Sequence, residues 1–145
     1  MYKNIMLAVN LNHRSSWRGS LPVALSLTES FSAKLHVITV VQDFSSSLVS
    51  SYFPTGFENK LKTEARIQLK ALLDEQIPAQ TRAGIQTIIG FGSIEDEIIR
   101  YVKALNIDLL IMSDYRAKHK KGRFGHPHIT AIKNHIDCSM LVERS

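Results

Sequence analysis

Five short apolar runs recur along this chain, separated by stretches of helical periodicity. The runs are "KNIMLAVN" (3–10), "KLHVITVV" (34–41), "GIQTIIG" (84–90), "DLLIM" (108–112) and "CSMLVE" (138–143). They are nearly continuous in Val, Ile, Leu and Met rather than alternating with polar residues. Strands of that kind suit a sheet covered on both faces.

Between the runs lie stripes at helical spacing. Leu21, Ala24, Leu25, Thr28 and Phe31 share one face, with Pro22 in a first turn and Ser20 as the expected N-cap. Phe57, Leu61, Ala65, Leu69 and Leu72 make a second stripe. Ile94, Ile98, Val102 and Leu105 make a third, with Ser93 as its N-cap. Ile129, Ile132 and Ile136 make a fourth, and Pro127 falls near its first turn. The order β-α-β-α-β-α-β-α-β predicts an α/β fold. Its sheet is five-stranded, parallel and open, with helices on both faces. A length of 145 residues fits one domain spanning 1–145. The Ser-rich segment "DFSSSLVSSYFPTG" (43–56) reads as a long surface loop.

No apolar run approaches a membrane span. The first apolar stretch, Ile5–Val9, is too short for a secretory leader, so the expected location is the cytoplasm. A lone Cys138 excludes an intrachain disulfide. The formal charge is +5, which permits anionic partners without demanding them. Most of the excess sits in one segment, "SDYRAKHKKGRFGHPH" (113–128), with five Lys or Arg against the single acid Asp114.

In an open parallel sheet, ligands bind beyond the carboxyl ends of the strands, where strand order reverses. Three stretches qualify: "VNLNHRSS" after the first strand, "VVQDF" after the second, and 113–128 after the fourth. The basic segment carries several readings. A solvated loop needs no ligand. An anion or nucleotide site would use Ser113, Arg116, Lys118, Gly125 and His126, with a helix N-terminus near Pro127 adding its positive end. Nucleic-acid stacking is poorly supplied, since only Tyr115 and Phe124 are aromatic. A metal site from His119, His126 and His128 lacks a completing carboxylate cluster and zinc-like spacing.

The fragments "NIMLAVNLNHRSS", "AKLHVITVV", "NIDLLIMSDYR" and "DCSMLVER" together resemble the universal stress protein family over essentially the whole chain. The resemblance implies a Rossmann-like fold of the adenine nucleotide alpha hydrolase type. It also implies homodimers formed through the final strand, here by Met140 and Val142. One branch of the family binds ATP, using an Asp at the end of the first strand and a spaced glycine motif after the fourth. This chain has Asn10 at the Asp position, and Ser113 and Arg116 in place of the first two glycines. The last motif pair is Gly125–His126 or His126–Pro127, depending on spacing. Arg116 would narrow a phosphate cradle, and Pro127 removes a backbone donor. The chain is thus more similar to the branch like universal stress protein A, which lacks the motif. Were ATP nonetheless bound, adenine would lie beside Val40 and ribose near Asn10. The phosphates would then meet Ser113, Arg116, Gly125 and His126.

No reaction centre emerges. There is no G-x-S-x-G elbow, and Glu95, Asp96 and Glu97 are explained by the dipole of the helix they open. His36 and His135 read as structural, His13 as an exposed loop residue near the switch point, and Cys138 as a small buried apolar group. The expectation is a dimeric, cytoplasmic stress-response protein that is not an enzyme. It would act by regulatory or protective contacts with unidentified proteins, without stable ATP binding, without metal, and without specific nucleic-acid or membrane partners. The alternative is a nucleotide-binding member that uses the basic loop.

Overall fold

The structure, a computed structural model, describes residues 1–42, 56–115 and 126–144, with the side chains of 126 and 127 left aside. The expected surface loop 43–56 therefore lies outside the described residues, apart from Gly56.

The strands are β1 (Asn4–Ala8), β2 (Lys34–Gln42), β3 (Gln86–Gly92), β4 (Leu109–Asp114) and β5 (Ser139–Arg144). They form one parallel sheet in the order β3-β2-β1-β4-β5. The helices are α1 (Ser20–Phe31), α2 (Phe57–Gln76), a four-residue α3 (Ala79–Arg82), α4 (Ile94–Ala104) and α5 (His126–Lys133). A 3₁₀ turn at Arg14–Ser16 precedes α1. The sequence-based α/β order holds. The turn and α3 are additions too short to carry a periodic signal.

Side chains alternate across the pleat. Ile5 and Leu7 of β1, Leu35 and Val37 of β2, and Leu109 and Ile111 of β4 pack with Leu21 and Ala24 of α1 and Leu69 and Leu73 of α2. Met6, Ile38, Leu110 and Met112 point the other way, onto Ile98 and Val102 of α4 and Ile129 and Ile132 of α5. This double coverage explains why the runs are unbroken in apolar residues. Ile5, Met6 and Leu7 are each fully buried at 0% exposure.

Three local readings need correction. Ser20 does not cap α1. It is the first helical residue, fully buried, and its hydroxyl donates back to the Ser16 carbonyl oxygen at 3.0 Å, while Gly19 takes the cap position. The buried stripe of α2 runs through Ala65, Leu69 and Leu73, with Leu72 beside it only partly covered. The fourth strand runs two residues past Met112, because pairing with β5 continues through Ser113 opposite Glu143 and Asp114 opposite Arg144. Ser113 is therefore a strand residue, not the start of the basic loop. Ser93 does cap α4, accepting from the Asp96 N–H at 3.3 Å.

Candidate functional site

The chain runs outward from β1 to β2 and β3, then crosses back to β4 and β5. Strand order thus reverses between β1 and β4, and a crevice opens beyond their carboxyl ends. A cleft of about 540 Å³ occupies that position, within the range of small-molecule sites. Its walls include Val40 and Val41 of β2, Leu61 and Ala65 of α2, Ile94 and Ile98 of α4, and Met112 of β4. Polar groups enter from Asn10, His13, Gln42, Glu64, Gln68, Ser113, Tyr115 and His128.

Asn10 is held by two bonds that orient its amide. Its Oδ1 accepts from the Asn12 N–H at 3.0 Å, so its Nδ2 faces the other way and donates to Tyr115 Oη at 3.1 Å. The backbone around it is pinned by Ser16, whose hydroxyl accepts from the Asn10 N–H at 2.8 Å. The Tyr115 ring lies against the His13 ring, with centroids 5.4 Å apart and planes tilted by 35°. Burial pushes the Tyr115 phenol above its ordinary pKa, and the bond from Asn10 only partly opposes this. Tyr115 is thus a neutral phenol across the switch-point crevice. In the sequence it is distinguished only as an aromatic in a basic segment.

Ser113 is buried at 4% exposure. Its Oγ lies 3.0 Å from Glu143 Oε2 and 3.1 Å from the Ser15 carbonyl oxygen. The same carboxylate rests against Gly19, where an added Cβ would overlap it. Glu143 therefore places an anion at the positive end of α1. It lies 30 residues from Ser113 in sequence, which is why the sequence alone did not couple them.

Val40 stands on the cleft wall. His126 opens α5, while Arg116 and Gly125 lie outside the described residues. His128 pairs with Glu95, Nδ1 to Oε1 at 2.9 Å, tying α5 to the start of α4. His119 is outside the described residues. Among those described, no three His, Cys, Asp or Glu side chains gather as a metal set. Glu97 does more than favour a helix dipole, since its Oε1 accepts from the Phe91 N–H at 3.0 Å.

Outside the cleft, His36 is buried at 3% exposure, with Nε2 3.3 Å from Asn4 Oδ1. Desolvation, then the Lys34 charge, lowers its pKa against a weaker opposing bond from Gln86. His135 Nδ1 lies 2.7 Å from the Ala131 carbonyl oxygen, within the end of α5. Burial raises the Cys138 pKa and keeps the thiol protonated. On β5, Val142 is 40% exposed, while Met140 packs partly against the core under α4 and α5.

The sequence model of the universal stress protein family matches residues 1–144. The chain belongs to the universal stress protein family. Among solved structures, universal stress protein UspA from Lactobacillus plantarum aligns with a TM-score of 0.72 at 21% identity, covering 99% of this chain and 98% of that one. A universal stress family protein from Burkholderia pseudomallei aligns with a TM-score of 0.64 at 18% identity, covering 97% and 95%. A universal stress protein solved in complex with cAMP aligns with a TM-score of 0.59 at 17% identity, covering 99% and 97%. At these identities the alignments establish the shared fold. No curated protein sequence matches the chain. Among the described residues no helix is long and apolar enough to cross a membrane.

Proposed function

We propose that this universal stress protein is a single-domain, non-enzymatic regulator that acts as a homodimer in the cytoplasm and does not hold ATP stably. One observation carries the reading: the Glu143 carboxylate on Ser113. It places negative charge at the strand end where the ATP-binding branch has its first motif glycine. The Ser113 side chain there is engaged by a carboxylate, where a phosphate would need bare backbone. No Lys or Arg is among the described residues lining the cleft.

The dimer would form along β5, an edge strand whose outer backbone groups have no strand partner within the described chain. Light scattering on Met140→Asp tests this, and an unchanged dimer would exclude that edge. The second reading, a nucleotide-binding member, is favoured by the cleft itself, with its apolar walls at the switch point. The cAMP complex of a neighbour of like fold supports it too. Arg116, Gly125 and His126 would then add to Asn10, Val40 and Ser113.

Native mass spectrometry with and without ATP and magnesium separates the two. The expected result is a dimer mass with no nucleotide adduct at millimolar ATP. A saturable adduct would establish the second reading.

A further inference from the structure

The polar end of the cleft has a definite hydrogen-bonding sense. The Asn12 N–H can only donate, so the atom of Asn10 that meets it is the carbonyl Oδ1. The other amide atom is then Nδ2, and Tyr115 Oη must accept from it. A phenol that accepts one hydrogen bond keeps its own proton to donate. That proton meets no acceptor among the described residues. Nδ2 carries a second N–H as well. Two neutral donors from two different strand ends thus face one crevice. Both Asn10 and Tyr115 line the cleft, whereas Asp114, the neighbouring acid, does not.

The rest of the lining narrows the chemistry. Val40, Ile94, Ile98 and Met112 offer an apolar slot. Among the described lining residues the charged or titratable groups are Glu64 of α2, His13 beside Tyr115, His128 bonded to Glu95, and Tyr115 itself. None of the described lining residues is Lys or Arg. Neutral donors with an apolar wall suit an uncharged acceptor.

We propose that the crevice between β1 and β4 recognises the carbonyl oxygen of a small molecule with an apolar body, through Tyr115 Oη–H and Asn10 Nδ2–H. The inference rests on the cleft being a ligand site that does not require ATP. It adds which chemistry that site reads. A cationic group, which can only donate, cannot pair with these two hydrogens.

Three fragments of matched body test it: acetophenone, benzoate and benzylammonium. Each is titrated into ¹⁵N-labelled protein while the Asn10 side-chain amide and Tyr115 backbone resonances are followed. Acetophenone is expected to shift both resonances and saturate. Benzoate is expected to bind at the same place more weakly, given Glu64. Benzylammonium is expected to bind at least about five-fold more weakly than acetophenone, the worth of roughly one neutral hydrogen bond. Tyr115→Phe keeps the ring and removes the donor, so it should weaken acetophenone by about five-fold and leave benzylammonium unchanged. Equal affinities for the three fragments would overturn the proposal, and so would an Asn10 amide that no fragment moves. Wild-type acetophenone binding by the Phe variant would do the same. Benzoate binding tighter than acetophenone would show that the edge prefers a carboxylate and would overturn the neutral-carbonyl assignment. ATP in a parallel titration keeps the two readings apart, since saturable ATP overturns the proposed function while the fragment ranking still decides the donor edge.

Discussion

Replacing Glu97 isolates how this fold secures an open sheet edge. β3 is an outer strand, and an edge strand has a row of N–H groups without a neighbouring strand. Glu97, one turn into α4, supplies an acceptor to one of them, the Phe91 N–H at 3.0 Å. Arg100 clamps the same carboxylate, with Nε 2.8 Å from Oε2 and Nη2 3.1 Å from Oε1. The Glu97 side chain is 14% exposed and that of Arg100 is 58% exposed. The ion pair alone is therefore worth at most about 0.5 kcal/mol. The bond from a partly buried backbone N–H to a charged acceptor is worth about 1.5–3 kcal/mol. Glu97→Ala is expected to cost about 2 kcal/mol and Glu97→Gln, which keeps an oxygen for Phe91, under about 1 kcal/mol. Urea unfolding followed by circular dichroism measures both, with the slope of the transition unchanged. The Arg100 bond first, then the Phe91 N–H and nearby positive charge, hold the Glu97 carboxyl below its ordinary value of 4.5. A depressed carboxylate contributes stability above its unfolded pKa and loses it as pH falls through the folded one. The wild type should lose this part on acidification below about pH 4.5, and the Gln variant should lack it. A Glu97→Ala protein within about 0.5 kcal/mol of wild type would refute the reasoning, because no bond in this range would then be holding Phe91. A Gln variant as unstable as Ala would refute it too, by placing the effect in the charge.

Other outcomes follow from the same geometry. Burial keeps His36 neutral, with a folded pKa below its ordinary 6.5. Stability should therefore fall as pH drops from 7 towards 5, and His36→Leu should flatten that part of a pH series of melting curves. The Asp108 carboxylate accepts from the Lys3 N–H at 2.9 Å and the Asn4 N–H at 3.1 Å. Asp108→Ala should cost about 1–2 kcal/mol in urea and speed hydrogen exchange at those two amides. Ile132, fully buried under the sheet, should cost about 3 kcal/mol as Ile132→Ala, measured by calorimetry.

Strands were legible wherever both faces are buried. The runs around Ile5–Leu7, Leu35–Ile38 and Leu109–Met112 carry no polar interruption, and that is the signature of two covering layers. Boundaries failed where pairing, not composition, decides them. Ser113 and Asp114 are polar, yet they stay in β4 because β5 lies beside them. The cap of α1 failed because a hydroxyl has two uses there. Ser20 serves the preceding carbonyl rather than the following N–H groups. Of the candidate site, the switch-point rule marked the stretches that hold Asn10, Val40 and Ser113, and these three residues line one cleft. The roles of Tyr115 and Glu143 were not legible, since each acquires its role through a partner at least 30 residues away.

The strand order also sets a timetable for synthesis. β1, β2 and β3 pair among themselves using residues 4–92, all of which emerge from the ribosome before β4 does. Through that interval the other edge of β1, bearing Ile5, Met6 and Leu7, has no neighbour. It is covered only when Leu109, Leu110 and Ile111 arrive and register against it. The nascent chain thus spends part of its growth with its most apolar strand open along one side, a template for pairing with other chains. A pause in translation after residue 92 has emerged and before residue 109 has would lengthen that exposure. The three-strand fragment should accordingly be the segment that chaperones hold and that aggregates when the chain is truncated before β4.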